Sequence, residues 1–428
     1  MRTLVLGSGG RESALAWALN RSTSVTELVC APGNPGTEGF AATLDVDIAD
    51  PDAVEDAARL MAADLVVVGP EGPLVAGVAD ALRAAGVKVF GPDANAARIE
   101  GSKTHAKELM DRAGIRTARW SSFDSVDKAV AFADELGPPY VVKADGLAAG
   151  KGVIVTEDRE TAVEAIRDCL EKDRFGEAGA TVVVEEYLDG EEVSLIAVTD
   201  GSTVVPFEPA QDYKRAFDGD RGPNTGGMGC YSPVPACPPD VAERMVHDVV
   251  EPMVAATRAA GAPFSGAIYA GLVLTAEGPR VLEFNARFGD PETQALLPRL
   301  RSDFGELALA CAEGDLAGAQ LEWDEEVCVG VVLASGGYPA AYPTGLEISG
   351  LEAAAAVDGV EVFHAGTARR DGTIVTSGGR VLVVSALAPT FERARALAYD
   401  AASRIDFEGK HVREDIALKA QISERSNA

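Results

Sequence analysis

Residues 140–155 read Tyr140-Val141-Val142-Lys143-Ala144-Asp145-Gly146-Leu147-Ala148-Ala149-Gly150-Lys151-Gly152-Val153-Ile154-Val155. A β-branched run ends on Lys143, a small-residue loop carries glycines at 146, 150 and 152, and a second apolar run opens at Val153. The pattern predicts strand, flap, strand. Glycine lacks the Cβ that holds a backbone away from a ligand, so the loop's N–H groups can approach a phosphate chain, while Lys143 and Lys151 supply positive charge. A helical phosphate loop would place Ser or Thr after Lys151 and then a helix; here Gly152 and a strand follow, which excludes that class. The expectation is a flap over a nucleotide triphosphate. An ordinary glycine-rich hairpin is the alternative, and partners elsewhere in the chain decide between them.

Upstream, Thr3 to Gly7 reads as a short buried strand, Gly9-Gly10-Arg11-Glu12 as a turn, and the spacing of Leu15, Trp17 and Leu19 as a helix. That order opens a doubly wound α/β domain. A dinucleotide fingerprint needs a third glycine where Glu12 stands, and the next strand, Glu27 to Ala31, ends in Pro-Gly instead of an acid for a ribose. A nicotinamide cofactor is therefore not expected. Asp64 to Val68 and Val87 to Phe90 repeat the strand pattern around a helix predicted over 74–85. Strand ends of such sheets line the ligand crevice, so the loops Gly9 to Glu12, Asn34-Pro35-Gly36 and Gly69 to Glu71 should converge there. A helix is predicted to begin at Glu100-Gly101-Ser102-Lys103 and run to Ala113, and a loop through Ser122 then leads to a helix over 125–136.

Downstream of the flap, a helix over 160–170 precedes a strand from Thr181 to Glu186, whose end exposes the backbone groups an adenine edge would pair with. Glu191 and Glu192 point to opposite faces of the next strand, so one of them can reach a ribose, and Glu192 is the choice. Residues 211–229 form a long segment poor in regular pattern, with mixed charge, an amide and several glycines, which suggests a substrate loop. A strand from Ser265 to Thr275 turns and returns as Val281-Leu282-Glu283-Phe284-Asn285. Alternation puts Glu283 and Asn285 on one face and Leu282 and Phe284 on the other. Two oxygen-bearing side chains two residues apart, followed by Arg287 and Gly289-Asp290-Pro291-Glu292, make a magnesium site with a cation beside it. The stretches Val327 to Ala334, Val362 to Ala365 and Val381 to Ser385, with a helix over 390–405, predict a separate α+β domain closing over the site.

Composition sets the class. The chain has 428 residues, 47% of them hydrophobic, enough for several buried cores. It holds no apolar run of spanning length and enters a strand by Thr3 without a hydrophobic leader, so a cytoplasmic protein free of membranes is expected. Six scattered cysteines never form C-x-x-C and read as reduced core thiols, and four histidines show no metal-ligand spacing. Lys plus Arg total 38 against 67 Asp plus Glu, a net charge of −29, which argues against nucleic acid as a partner. Such an acidic chain repels itself in dilute buffer and is relieved in concentrated salt, so a salt-adapted, halophilic host is the expectation.

Seven blocks then carry a resemblance: Gly-Ser-Gly-Gly-Arg-Glu at 7–12, Ala-Pro-Gly-Asn-Pro-Gly at 31–36, Gly-Pro-Glu at 69–71, Glu-Gly-Ser-Lys at 100–103, Lys-Ala-Asp-Gly-Leu-Ala-Ala-Gly-Lys-Gly at 143–152, Gly-Pro-Asn-Thr-Gly-Gly-Met-Gly at 222–229 and Glu-Phe-Asn-Ala-Arg-Phe-Gly-Asp-Pro-Glu-Thr at 283–293. Their order resembles, essentially end to end, the phosphoribosylamine-glycine ligase (glycinamide ribonucleotide synthetase) family of the ATP-grasp superfamily. The resemblance implies an N-terminal doubly wound parallel-sheet domain over 1–101, a central ATP-grasp domain of two α+β subdomains over 102–325 with a small lid at 120–192, and a C-terminal α+β domain over 326–428. It implies ATP-driven joining of glycine to 5-phosphoribosylamine, by a monomer, in purine synthesis.

By the same resemblance ATP would be held by Lys103, Lys143, Gly146, Gly150, Lys151 and Gly152, and by Glu185, Glu186, Leu188 and Glu192 at its base and ribose. Glu283 and Asn285 would take Mg2+ or Mn2+. The phosphoribosylamine would meet Gly9, Gly10, Arg11, Glu12, Asn34, Gly36 and Glu71 on the N-terminal side. Facing them would be Asn224, Thr225, Gly226, Gly227 and Met228, with Arg287, Gly289 and Asp290, and with Asp212, Lys214 and Arg215 close by. Lys143, Arg287 and Asp212 would be the catalytic groups. Three departures stand out: Ser13 and Ala286 replace a histidine and a cysteine common in relatives, and Tyr269-Ala270-Gly271-Leu272 lacks the acidic metal ligand of many ATP-grasp enzymes.

Overall fold

The computed structural model describes residues 1–148, 152–172 and 179–427. Gly150 and Lys151 of the flap therefore lie outside the described residues. The N-terminal sheet is parallel throughout, in the order Ala42–Thr43, Glu27–Pro32, Arg2–Gly7, Leu65–Val68, Lys88–Phe90. Both faces are covered, which is why these strands read as unbroken apolar runs: Leu4, Leu6, Val66 and Val68 pack to one side, Val5, Leu65 and Val67 to the other. The helix expected over 74–85 is two helices, Glu71–Val75 and Val78–Ala84, because Gly77 sits at φ 87°, outside helical space.

Glu100 and Gly101 end a helix, Ala94–Gly101, instead of beginning one. Ser102 is extended, caps the next helix, Lys103–Ala113, by accepting from His105 N–H at 3.1 Å, and so aims Lys103 from a helix start. The segment before Ser122 is a strand, Trp120–Phe123, at the edge of a small antiparallel sheet with Val182–Glu186, Tyr140–Ala144 and Val153–Thr156. Helices Val126–Leu136 and Arg159–Leu170 cover its outer face.

A second antiparallel sheet runs Val204–Pro206, Glu191–Thr199, Gly266–Thr275, Gly278–Asn285. The 211–229 segment is more regular than its sequence suggests: Arg215–Phe217 and Arg221–Asn224 pair as a ribbon. Gln211–Asp212 and Gly229–Ser232 join Val327–Ala334, Arg380–Ala388 and Val360–His364 in one five-stranded sheet. The C-terminal sheet is thus not made by the C-terminal residues alone; it borrows two strands from the substrate segment. All six cysteines are buried and none is in a disulfide, and no helix among the described residues is long and apolar enough to cross a membrane.

Candidate active site

The two antiparallel sheets of the central region face each other across a cleft of about 690 Å³, open toward the N-terminal and C-terminal domains. On the lid side the strand Tyr140–Ala144 delivers Lys143, whose ammonium pairs with Glu185 on the neighbouring strand and donates to the Leu282 carbonyl at 3.3 Å. Lys107 reaches the same Glu185 from helix Lys103–Ala113 at 2.5 Å, so one buried carboxylate bridges two buried lysines. Burial opposes both charges of the Lys143–Glu185 pair, yet mutual attraction outweighs it: Glu185 is held below the ordinary carboxylate range and Lys143 above the ordinary lysine range. Lys103 is pushed down by burial and by Lys143, with Glu283 opposing, and it donates to the Gly146 carbonyl at 3.1 Å.

Glu283 and Asn285 project into the cleft from the strand Gly278–Asn285. A bulge between Gly271 and Leu272 inserts Leu282 into the register, and this corrects the expected alternation. Leu282 turns to the cleft beside Glu283 and packs with Ala118, Leu188 and Val273, whereas Val281 and Phe284 enter the core behind the sheet. The result is a small apolar floor next to the lysines. The Glu186 side chain accepts from Arg119 N–H at 2.9 Å and from Arg280 at 3.1 Å, and its own N–H donates to the Arg119 carbonyl at 2.9 Å, so its side chain is a strut and its N–H is already engaged. Glu192 opens to the cleft 3.6 Å from Lys214.

The opposite wall gathers arginines already matched with carboxylates. Arg287 donates to Glu71 at 3.2 Å, Glu100 at 2.6 Å and Asn285 at 3.3 Å. Burial pushes Glu100 up to about 7 against the pull of Arg287; for Glu71, Arg287 and Arg11 outweigh burial and hold it at about 2. Arg11 donates to Glu12 at 2.6 Å and to the Phe288 carbonyl at 3.2 Å. Lys214 donates to Asp212 at 2.7 Å, and Thr225 closes on the Lys214 carbonyl through its N–H at 2.7 Å and its hydroxyl at 2.9 Å. Asp290 accepts from Arg11 N–H at 3.3 Å and lies 3.4 Å from Arg380. Arg215, Asn224, Gly226, Gly152 and Gly289 also line this cleft.

Several expected contact residues do other work. Glu12 caps the first helix by accepting from Gly9 N–H at 2.7 Å, so neither offers its group to a ligand. Gly10 is buried against Gln294. The Asn34 amide donates to the carbonyls of Ser8 at 2.8 Å and His364 at 3.1 Å and to the Ser13 hydroxyl at 2.8 Å, while its oxygen takes Gly36 N–H at 2.9 Å. That loop is therefore a contact between the N-terminal and C-terminal domains, not cleft wall. Gly227 lies at φ 113°, where a Cβ would come 2.5 Å from Pro291, and Met228 is fully buried in the core. Both shape the loop from behind.

Models of the phosphoribosylglycinamide synthetase N domain, ATP-grasp (A) domain and C domain match residues 1–100, 101–293 and 328–419. The chain belongs to the phosphoribosylglycinamide synthetase family. The phosphoribosylamine–glycine ligase of Brucella melitensis is 48% identical over the whole of both chains. The chicken trifunctional purine biosynthetic protein adenosine-3 is 49% identical over 98% of this chain and 42% of its own length. Among solved structures, the phosphoribosylamine–glycine ligase of Thermotoga maritima superposes with a TM-score of 0.85 at 34% identity, covering 97% of this chain and all of that one. The biotin carboxylase domain of Hydrogenobacter thermophilus 2-oxoglutarate carboxylase, solved with MgADP, shares the fold alone, with a TM-score of 0.72 at 17% identity over 99% of this chain and 94% of that one.

Four cleft residues of this synthetase-family chain escaped the sequence reading. Lys107 lies one helical turn beyond Lys103 and could have been found from that spacing. Glu100 and Glu292 stand inside quoted motifs with no contact of their own assigned to either; Glu292 is 3% exposed and accepts from the hydroxyls of Ser194 and Tyr269, each at 3.0 Å. Arg380 comes from a C-terminal strand, and no local pattern marks it.

Proposed function

We propose that this chain joins glycine to 5-phospho-D-ribosylamine at the expense of ATP, giving glycinamide ribonucleotide, ADP and phosphate. The observation that carries the reading is that Lys103, Lys143, Glu283, Asn285 and Arg287, drawn from one helix, two strands and the loop after the second strand, line one cleft. Glycine's carboxylate is a poor electrophile. One of its oxygens attacks the γ-phosphorus, the bond to ADP breaks, and glycyl phosphate forms. The sugar-borne amine then attacks the acyl carbon, phosphate leaves with the bonding electrons, and the nitrogen releases its proton. Such transfers need positioning and charge neutralisation more than a covalent side chain.

In this reading Lys103 and Lys143 neutralise the phosphates, the flap excludes water, and the Leu188–Leu282 floor seats the adenine. Arg287 steadies charge on the acyl phosphate side, and Asp212 with Lys214 orients the amine substrate. Glu283 and Asn285 offer two hard oxygen donors, which suit Mg2+ or Mn2+ completed by phosphate oxygens and water. Among the described residues there is no cluster of three or more His, Cys, Asp or Glu that would hold an ion without a nucleotide. When bound, the divalent ion supplies Lewis-acid charge at the transferring phosphoryl group. An ADP-release assay omitting one substrate at a time tests the reading. Release should need glycine and phosphoribosylamine together; equal release without the amine, or with another amino acid in place of glycine, would overturn it.

A further inference from the structure

Arg413, near the C-terminus, carries the largest of the fully buried side chains among the described residues, and its neighbours belong to the substrate ribbon. Its guanidinium donates to the Arg215 carbonyl at 2.9 Å, to Asp220 at 3.0 Å and to both oxygens of Asp415 at 2.7 Å. It also lies 4.7 Å over the ring of Tyr213. The residues flanking Arg413 repeat the pattern. His411 Nε2 is 2.7 Å from the Ala216 carbonyl, Glu414 N–H donates to Asp218 at 2.9 Å, and Asp415 accepts from Gly219 N–H at 2.8 Å. Ala417 N–H donates to the Tyr213 hydroxyl at 2.9 Å. Segment 411–417 thus grips the ribbon from Tyr213 to Asp220, and the same ribbon borders the cleft through Tyr213, Lys214, Arg215, Asp220 and Asn224.

A buried ion pair is a poor stability device, since well-packed apolar residues of equal volume often do as well. What a guanidinium adds is geometry: a planar fork with five donors fixes several acceptors relative to one another, which a lysine ammonium does not do. Here the acceptors come from two segments about two hundred positions apart in the sequence, so the fork fixes the height and tilt of the ribbon above the cleft. Thr225, bonded to the Lys214 carbonyl, carries that position into the following loop.

We infer that Arg413 is a positioning residue for the amine substrate: it clamps the 213–225 ribbon so that Lys214, Arg215 and Asn224 meet phosphoribosylamine in register. This rests on the proposed function, which places that substrate on this wall. The clamp acts on one wall only, because Lys103, Lys143 and Glu185 share no contact with it.

The test is steady-state kinetics on the full chain carrying Arg413→Met or Arg413→Lys. Arg413→Met should raise the KM for phosphoribosylamine about tenfold, since an ångström of misplacement is enough for losses of that order or more, and should leave the KM for ATP unchanged. Arg413→Lys should recover little, because it lacks the fork. An unchanged KM for the amine, or an equal rise in every KM, overturns the inference. Should Arg413→Met fail to fold, Asp220→Ala removes one arm of the clamp at a half-exposed position, and an unchanged KM for the amine there counts equally against it. Trypsin reads the clamp without any substrate: cleavage after exposed Arg221 should be faster in the Arg413 variants, and an unchanged rate overturns the inference. If the parent chain releases no ADP in response to phosphoribosylamine, the functional reading fails while the trypsin result still judges the clamp.

Discussion

The two walls of the cleft are built on different electrostatic plans. On the nucleotide wall, Lys107 and Lys143 share a single buried carboxylate, Glu185, while Glu283 is the anion that acts most strongly on Lys103. On the amine wall each of the cations described above already has acidic company: Arg11 with Glu12, Arg287 with Glu71 and Glu100, Lys214 with Asp212, Arg380 with Asp290. An unbalanced wall attracts a polyanion and is neutralised by it. A wall whose cations are all matched has no net positive charge to offer, so it recognises its ligand by exchanging partners and by shape. On the proposed assignment of the walls, the difference teaches that affinity for the triphosphate would reside in charge and affinity for the sugar phosphate in alignment.

The comparison breaks most visibly at Glu283. Glu283→Ala should lower ADP release by about 10³-fold, the order seen when one group that stabilises transition-state charge is lost, while circular dichroism reports an intact fold. A loss of only a few-fold would mean that the lysines neutralise the phosphates without help from this side chain. Arg287→Lys comes next: the ammonium cannot hold Glu71 and Glu100 together, so kcat/KM for phosphoribosylamine should fall about 100-fold. The KM for ATP should not move. Should it rise equally, the two walls are not independent and the contrast drawn above is wrong.

How far these walls could be read in the sequence follows from how local their contacts are. The flap strands and the Glu283–Asn285 pair obey a two-residue period, and their partners are adjacent strands, so spacing was enough to place them. Leu282 was misplaced because a bulge adds one residue without a signature in composition. The strand Trp120–Phe123 was missed because it is a half-buried edge with serines at its centre. Asn34, Gly36 and Glu12 stand in motifs, and motif membership alone does not say whether an amide faces a ligand or a neighbouring domain. Arg380 and Arg413 act across gaps of 90 to 198 residues, which no local pattern encodes.

His364 sharpens the claim that the amine wall depends on the C-terminal domain. Its carbonyl accepts from Ser13 at 2.6 Å and from Asn34, and its buried imidazole rests on Gly36. Burial lowers its pKa from the ordinary 6.5 to about 4. The folded chain therefore keeps the ring neutral where an unfolded chain would protonate it. The resulting stability is fully present above pH 6.5 and is lost as pH falls toward about 4. Between pH 7 and pH 5 this amounts to about 2 kcal/mol. Urea unfolding at the two pH values should show that much more acid sensitivity in the parent than in His364→Gln. Equal sensitivity would mean the imidazole titrates freely and the domain contact is loose.

The smallest effect divides the molecule along the same line. A net charge of −29 repels itself over a screening length of about 10 Å in 0.1 M salt and about 3 Å in 1 M salt. If the acidity is an adaptation to salt, potassium chloride should raise the melting temperature, and a gain of about 1 kcal/mol would appear as a few degrees. The same salt would screen the lysines proposed to attract ATP, so the KM for ATP should rise as the fold tightens. The KM for phosphoribosylamine, whose wall carries no unmatched cation, should rise less. Stability and nucleotide affinity would then move in opposite directions in one titration. A melting temperature indifferent to salt would remove the adaptation, and parallel rises in both KM values would remove the electrostatic distinction between the walls.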